Sequence, residues 1–260
     1  MTCARTFTDL DFLVLWEEMR QDFLPAPLTF TSRTPSYRAF LQEKAETRER
    51  LRHEKETLGG LFAMLTEPDI AIEVRGHGGR DPSDPACSIR MLAVRSGERG
   101  CLVVQAPGET LRHSAGFTVT ECGALHLARV VAAALPAACA GRRSDVELIA
   151  PSEHDELDYR VRESIVRAVA GGTTWDRSAE FLAHPVTRLG TIEVVQGRSR
   201  FGPRGIARHR LHWRDLDEDG RYVIADQSAP IAAPADLRQL TSLINIRIAE
   251  VVRTIKDERG

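Results

Sequence analysis

The sequence predicts an α+β protein whose central antiparallel β-sheet is made of two related halves. One observation is the stretch 190–226, where apolar and polar side chains alternate over three runs that turns separate. Such alternation is typical of half-buried strands and predicts a three-stranded meander. A second stretch, 120 positions earlier, has the same alternation and turns, which indicates an internal repeat.

The two copies of this repeat align without a gap. A shift of 120 positions places Glu73 on Glu193 and Arg90 on Arg210, among other matches. In each copy the two residues lie equally far from the turn, so we expect the cross-strand ion pairs Glu73–Arg90 and Glu193–Arg210, each contributing roughly a few tenths of a kcal/mol. We expect one domain over 1–260, with halves of about 1–136 and 145–260 and a linker at about 137–144.

Helices are predicted at the start of the first half. Thr8, with Asp11 three residues later, is typical of a helix start, and the helix ends before Pro25. Thr34-Pro35 predicts the start of a long, charged helix that runs to about Lys55. Gly59-Gly60 is expected to break it, and a short helix follows from Leu61 to Leu65.

The first meander contains a loop that is long for its strands, from Gly76 to Ala86, and rich in Gly, Pro and Asp. Such a loop is expected to be mobile or to be ordered by a partner. Further strands are predicted, and Thr120 is expected to cap a helix that ends at Pro136. The predicted strands are Ser88–Arg95, Gly100–Gln105 and, more weakly, Thr110–His113.

The second half repeats this plan. A strand is predicted at Val146–Ile149 and helices at Asp155–Ala170 and through Trp175–Leu182, the last with Thr173 or Thr174 as its cap. The chain closes with a helix from Pro234 to about Ile255, whose broad apolar stripe needs two surfaces to cover it.

Composition excludes several classes of protein. The net charge is −2 and 42% of residues are apolar, which argues against disorder and against a generally basic nucleic-acid binder. The five cysteines have no C-x-x-C spacing, so neither a disulfide framework nor a zinc site is predicted. No apolar run is long and uncharged enough to export the chain or to span a membrane, so we expect a cytoplasmic protein without a membrane contact.

Motifs for catalysis and metal binding are weak. Asp215, Asp217, Asp219, Gly220 and Asp226 follow the spacing of an EF-hand calcium loop, but strands flank them and a solvated acidic turn explains the same residues. The glycines of 76–79 are similar to the oxyanion loop of esterases, yet the chain has no G-x-S-x-G. Ser152 to Asp155 are more simply a helix cap with solvated neighbours. His209 and His212 lie on opposite strand faces. We therefore predict no enzyme activity and no cofactor.

A run of arginines suggests a different function, the binding of nucleic acid or of another anionic ligand. Arg208, His212 and Arg214 share one strand face with Arg210, so an anionic ligand or nucleic acid is a candidate partner for the hairpin from Arg198 to Arg214. That face has no aromatic residues on which bases would stack, and nearby acidic residues neutralise part of its charge. A solvated face, or one that meets an acidic protein, is the interpretation that we favour. A hydrolase that uses Ser152, His154 or the Gly76 loop is a weaker alternative.

Three stretches of the chain resemble the EspG family of ESX secretion-associated proteins. They are Phe12 to Leu28, with the residues DFLVLWEEM and LPAPL; Gly190 to Ile192 with the arginine-rich hairpin; and Asp219 to Ile224, which leads to Ala233 to Leu237. The resemblance implies a pseudo-two-fold α+β fold, in which two α-helical bundles flank the central antiparallel sheet. It also implies a cytosolic chaperone of type VII secretion. Its partner would be a PE–PPE heterodimer, whose apolar PPE tip it would hold in solution, and the free protein would be a monomer or homodimer.

The resemblance also implies where the partner binds. In the family, contacts come from the long loop of the first meander and from the C-terminal helical bundle, which here correspond to Gly76–Ala86 and to the helices of the second half. Four apolar residues are candidates to remain exposed after the core is filled: Ile165, Val166, Val169 and Ile246. For each of them, burial in the core is an equally good explanation. The candidate partner-binding residues are His77, Gly78, Arg80, Asp81, Asp84, Ile165, Val166, Val169, Trp175 and Ile246.

Overall fold

The computed structural model describes residues 3–19, 23–149, 173–226 and 228–259. Within these ranges ten strands form one antiparallel sheet, in the order β1-β5-β4-β3-β2-β7-β8-β9-β10-β6. The strands are β1 Cys3–Phe7, β2 Ile70–Gly78, β3 Ile89–Ser96, β4 Arg99–Pro107, β5 Ser114–Gly123, β6 Val146–Glu147, β7 Val186–Gln196, β8 Arg208–Leu216, β9 Arg221–Ala225 and β10 Ile231–Pro234.

Six α-helices in the described ranges flank this sheet. They are α1 Asp9–Glu17, α2 Tyr37–Arg50, α3 Lys55–Thr66, α4 Leu127–Ala134, α5 Thr174–Ala183 and α6 Leu237–Arg259. Of these helices, α2 packs on α1. Three short 3-10 turns connect elements, at Pro85–Cys87, Ala124–His126 and Pro203–Gly205. The predicted helix Asp155–Ala170 lies outside the described residues.

The strand order is symmetric about the β2–β7 pair. Outward from that pair it runs β2-β3-β4-β5-β1 on one side and β7-β8-β9-β10-β6 on the other. Glu73 lies directly opposite Glu193, its own counterpart in the repeat, and Ile72 and Val74 lie opposite Val194 and Ile192. The pseudo-two-fold axis therefore passes between Glu73 and Glu193, and the predicted antiparallel α+β fold of two related halves is confirmed.

The two faces of the sheet are covered differently. On one face, which we call the α6 face, strand residues of both halves pack against α4 and α6 in a single core, with Ile72, Val74, Ile192, Val194 and Leu211 fully buried. On the other, the α1 face, α1 and α3 with Leu51 at the end of α2 cover the first half, and α5 packs on Val146 and Tyr222 of the second. The centre of the α1 face is therefore left between two helical layers.

Two glycines make room for a tryptophan at the centre of the α6 face. Gly76 and Gly190 are opposite each other on β2 and β7. A Cβ on Gly76 would lie 2.7 Å from the Trp213 ring, and one on Gly190 would lie 2.3 Å from it. The indole, which is 1% exposed, therefore lies across both strands. Gly76, His77 and Gly78 belong to β2, so the loop that was predicted to start at Gly76 starts three residues later.

Only one of the two predicted ion pairs forms. Glu193 lies opposite Arg210 and accepts a bond of 3.0 Å from it, as predicted. Glu73 lies opposite Leu92 instead, and Arg90 lies opposite Arg75, so the Glu73–Arg90 pair was wrong. The first hairpin is two residues longer between paired positions than the second, and this offset defeats an alignment without gaps.

Some predicted element boundaries were also wrong. The long helix ends at Arg50, and α3 runs through Gly59 and Gly60 because Leu58, Leu61 and Phe62 bury one of its faces. Thr120 lies within β5 rather than at a helix start, since Phe117 and Val119 alternate into the core. The weak strand predicted at Thr110–His113 is a turn.

Candidate functional site

The loop between β2 and β3 holds its own shape. The Asp81 carboxylate accepts hydrogen bonds from the backbone N–H and the hydroxyl of Ser83, at 2.8 and 2.6 Å. Asp84 accepts from the N–H of Ala86 and so caps the turn Pro85–Cys87. The hydroxyl of Ser83 and its N–H lower the pKa of Asp81. Local hydrogen bonds therefore hold the two turns of this loop.

The same loop is attached to the second half of the chain. Arg80, whose side chain is 85% exposed, forms an ion pair of 3.1 Å with Asp217 in the turn between β8 and β9. The backbone oxygen of Asp217 accepts from Nε2 of His184, and its N–H donates to the oxygen of Pro185. His184 directly follows α5. The loop and the end of α5 therefore form one continuous surface.

The predicted partner-binding residues lie on two different sides of the sheet. His77, Gly78, Arg80, Asp81 and Asp84 are in or beside the β2–β3 loop. Trp175, which is 44% exposed, is on α5, on the α1 face. Ile246, which is 49% exposed, is on α6, on the opposite face. The other three, Ile165, Val166 and Val169, lie outside the described residues.

In the turn that has EF-hand spacing, carboxylates are already bonded to other residues of the same chain. Arg221 holds Asp215 through two bonds of 2.7 and 2.8 Å, and both side chains are buried. Asp219 accepts from the N–H of Arg142 and from the Tyr222 hydroxyl. Burial opposes ionisation of Asp219, but these bonds and the charge of Arg143 lower its pKa. In the described part of the chain, no group of three His, Cys, Asp or Glu residues is arranged to hold a metal ion.

This turn ties down the linker between the halves. Asp219 and Tyr222 receive the backbone N–H groups of Arg142 and Arg143, and Arg221 donates to the carbonyl oxygen of Pro136. A Cβ on Gly141 would lie 2.0 Å from the Tyr222 ring, so the linker passes directly over that ring. The acidic residues that resemble a calcium loop therefore have a structural role here.

Most arginines of the predicted basic hairpin already have partners. Arg198 contacts Glu67 at 2.6 Å, and both Arg208 and Arg210 contact Glu193, at 3.8 and 3.0 Å. Arg214 lies over the Phe181 ring and donates to the oxygen of Leu182. Glu67 and Glu193 neutralise part of the charge that would attract a nucleic acid, and the described residues offer no observation in favour of that alternative. His209 contacts Glu250 on α6, so it faces away from His212, as predicted.

A second group of arginines, on the α1 face, was missed by the sequence reasoning. Arg75 and Arg90 lie directly opposite each other on β2 and β3. They line a cavity of about 350 Å³ beside the β2–β3 loop, together with His77, Ser88 and Thr191. The sequence did show an arginine at position 90. The alignment of the two copies without a gap, however, predicted that Arg90 would form an ion pair with Glu73.

No described helix is both long and apolar enough to cross a membrane. A search of curated proteins finds no match. Among solved structures, the chain is similar to the Mycobacterium tuberculosis type VII secretion system chaperone EspG5, which was solved in complex with the PE25–PPE41 dimer. The identity is 14% and the TM-score 0.48, over 98% of this chain and 96% of that one.

The family comparison covers most of the chain. A model of the EspG family matches residues 8–245, which include α1, all the described strands from β2 to β10 and the first part of α6. The match therefore extends over both halves of the sheet and the linker between them. The chain belongs to the EspG family.

Proposed function

We propose that this protein is a cytosolic chaperone of type VII secretion, which binds the apolar tip of the PPE subunit in a PE–PPE heterodimer and keeps the heterodimer soluble until it is secreted. The observation that carries the proposal is membership of the EspG family over residues 8–245. The proposed role is binding without catalysis.

The proposed partner surface consists of the β2–β3 loop and α5. Two apolar side chains of α5 are exposed, Trp175 at 44% and Leu182 at 40%, and the loop beside them presents Arg80 and Asp81. An apolar centre with a charged rim is the composition of stable protein interfaces. The loop's own hydrogen bonds favour its turns before binding, which reduces the conformational entropy that binding has to remove.

Ile246 provides a way to test how far this surface extends. It lies on the opposite side of the sheet from Trp175, so a client tip that contacts α5 has to reach around the molecule to contact α6 as well. We therefore propose the loop and α5 as the main contact and α6 as a second contact only for a client that wraps around the sheet.

The first experiment is co-expression with PE–PPE pairs encoded near the gene, followed by size-exclusion chromatography at moderate salt. We expect a soluble complex of three chains, and an insoluble PPE protein when this chain is left out. If every pair is soluble alone and none co-elutes with this chain, the proposal is wrong.

Point variants then map the surface. Trp175→Ala and Arg80→Ala are expected to weaken the complex, and interface aromatic and arginine residues often contribute about 2 kcal/mol or more. Phe201→Ala is the matched control, because Phe201 is 70% exposed and lies in the β7–β8 loop at the other end of the central strands. Ile246→Ala reports whether α6 takes part. A complex that responds to Phe201→Ala but not to Trp175→Ala would place the client elsewhere.

A further inference from the structure

The cavity beside the β2–β3 loop is lined by hydrogen-bond donors. Arg75 and His77 come from β2, Arg90 from the start of β3 and Thr191 from β7, while Ser88 directly precedes β3. The strand alternation directs the four strand side chains to the α1 face. No Asp or Glu is among the described residues that line the cavity, whose remaining wall is formed by Gly76, Pro82, Ile89, Leu111 and Gly190.

Arg90 is a partly buried cation without a carboxylate partner among the described residues. Its two terminal nitrogens donate to the backbone oxygens of Pro27 and Leu111, both at 3.0 Å. Its Nε is buried and, within the described ranges, has no hydrogen-bond partner. Backbone carbonyls orient the guanidinium but do not neutralise its charge, and a desolvated charge without a counter-ion is costly.

Arg75 increases this cost. It lies directly opposite Arg90, and like charges at opposed strand positions are destabilising. Burial, and then the charge of Arg75, lower the pKa of Arg90. Arg75 forms an ion pair of 3.0 Å with Glu73, but its side chain is 53% exposed and has further N–H donors that can turn toward the cavity. A negative group between the two guanidinium groups would relieve the repulsion and supply the missing counter-ion.

We propose that this Arg75–Arg90 pocket binds a carboxylate, with Arg75 and Arg90 as its charged donors and Ser88 and Thr191 as its hydroxyl donors. Guanidinium groups bind carboxylates through paired N–H bonds of fixed geometry. The apolar wall formed by Pro82 and Leu111 suits a carboxylate on a short apolar stem, rather than a bare inorganic anion. Two sources have this chemistry: an acidic side chain of a protein partner bound at the loop, or a free small carboxylic acid.

The free protein tests the pocket without any client. Melting temperature is measured against glutarate concentration, with ionic strength held constant by sodium chloride. A carboxylate that binds only the folded chain raises the melting temperature saturably. We expect this rise in the wild type, its loss in Arg75→Gln and Arg90→Gln, and its retention in Arg129→Gln. Arg129 is the matched control because it is exposed on α4, on the opposite side of the sheet.

The client complex distinguishes the two sources. If the partner supplies the carboxylate, Arg75→Gln raises the dissociation constant of the complex about tenfold or more, as expected for one charged hydrogen bond, while Arg129→Gln does not. If glutarate binds and client affinity is unchanged, the ligand is a free carboxylic acid. Only this second experiment rests on the proposed function, because the glutarate titration tests whether the pocket binds a carboxylate even if no client is found.

The inference is overturned if the wild type shows no saturable response to glutarate and both arginine variants keep wild-type client affinity, or if no client binds and glutarate has no effect. Arg90→Gln removes two bonds to the backbone and is checked by circular dichroism. If it fails to fold, Arg75→Gln carries the test, since more than half of the Arg75 side chain is exposed.

Discussion

At the scale of single residues, Asp215 and Arg221 form the most deeply buried ion pair of the described chain. Their side chains are 6% and 5% exposed, and the pair lies directly across β8 and β9. Arg221 also bonds to Pro136 at the start of the linker. Because each charge is desolvated, the pair is costly to break from one side, and it ties the linker to the second half.

We predict that Asp215→Ala lowers the free energy of unfolding by about 3–5 kcal/mol, because it leaves the buried Arg221 uncompensated. Chemical denaturation measures this change. Glu49→Ala is the control: it also removes one carboxylate from an arginine, Arg52, but that pair is largely exposed and its loss should cost less than about 1 kcal/mol. Equal costs for the two variants would show that burial does not control the contribution of the pair.

The glycines beneath Trp213 give a second prediction. Gly76→Ala should destabilise the protein by roughly 1–3 kcal/mol, because its Cβ meets the edge of the indole. Trp213→Phe should relieve much of that clash. Gly190→Ala should not be relieved, since its Cβ would also lie 2.1 Å from the backbone oxygen of Arg75. Double-mutant cycles with Trp213→Phe measure the difference, and equal coupling for the two glycines would contradict the assigned contacts.

The two ion pairs expected between the central strands show how far residue-scale prediction reached. The Glu193–Arg210 ion pair could be predicted, because the sequence shows both the charge of each residue and its distance from the turn. Glu73–Arg90 could not, since two extra residues in the first hairpin shift its register. The same shift places Arg90 opposite Arg75, so the candidate carboxylate pocket became visible only with the register known.

At the scale of elements, α3 shows tertiary packing overriding a local signal. Gly59-Gly60 normally favours a helix break, yet both lie inside α3, because the helix buries Leu58, Leu61, Phe62, Met64 and Leu65. The preceding helix ends earlier, at Arg50. The two glycines are therefore a helix-propensity defect that burial on the sheet offsets.

We predict that Gly59→Ala stabilises the protein by about 0.5–1 kcal/mol, the difference in helix propensity between the two residues. Nothing lies within 4 Å of a Cβ at Gly59, so the substitution adds no clash. Gly60→Ala should behave similarly, with its nearest neighbour the Arg99 side chain at 3.8 Å. The midpoint of thermal unfolding measures both. A fall in either midpoint would mean that α3 is strained around these glycines.

Two short strands near the ends of the sheet were the elements most easily missed. β1 and β10 have five and four residues, and neither has enough alternation to be distinguished from a loop. They form because neighbouring strands offer unpaired backbone groups: β1 pairs with β5, and β10 pairs with β9 and β6. Caps were more predictable, because Thr8 with Asp11 and Thr173 with Asp176 are local signals, and both caps form.

At the scale of the whole molecule, the core on the α6 face joins the two halves. α4 comes from the first half and α6 from the second, and both pack on one apolar surface to which β2 and β7 both contribute. We therefore propose that the two halves are one folding unit rather than two domains. Separating them would expose Ile72, Val74, Ile192 and Val194, all of which are fully buried.

We predict a single unfolding transition in scanning calorimetry, with the calorimetric enthalpy equal to the van't Hoff enthalpy. The fluorescence of Trp16, in the first half, and that of Trp213, in the shared core, should change at the same denaturant concentration. Burial raises the pKa of the Cys101 thiol to about 12, so this thiol should resist alkylation at pH 8 until the same transition. Two separate transitions would instead show independent halves.

The sequence by itself determined the fold class, the repeat, the helix caps at Thr8 and Thr173, and the family resemblance. Each of these depends on patterns within one element or on identities between copies, and such patterns do not require knowledge of how elements meet. The alternation of 190–226, for example, already assigned Leu211 and Trp213 to one face and Arg210 and His212 to the other, as the structure has them.

Only the tertiary structure decided how the strands align and which surfaces they create. It placed Glu73 opposite Glu193, Arg75 opposite Arg90, and α5 and α6 on opposite sides of the sheet. The physical reason is that a shift of register or a change in loop length leaves the local apolar pattern almost unchanged, while it changes every long-range neighbour. Contacts between distant segments are selected by packing and charge in the assembled molecule.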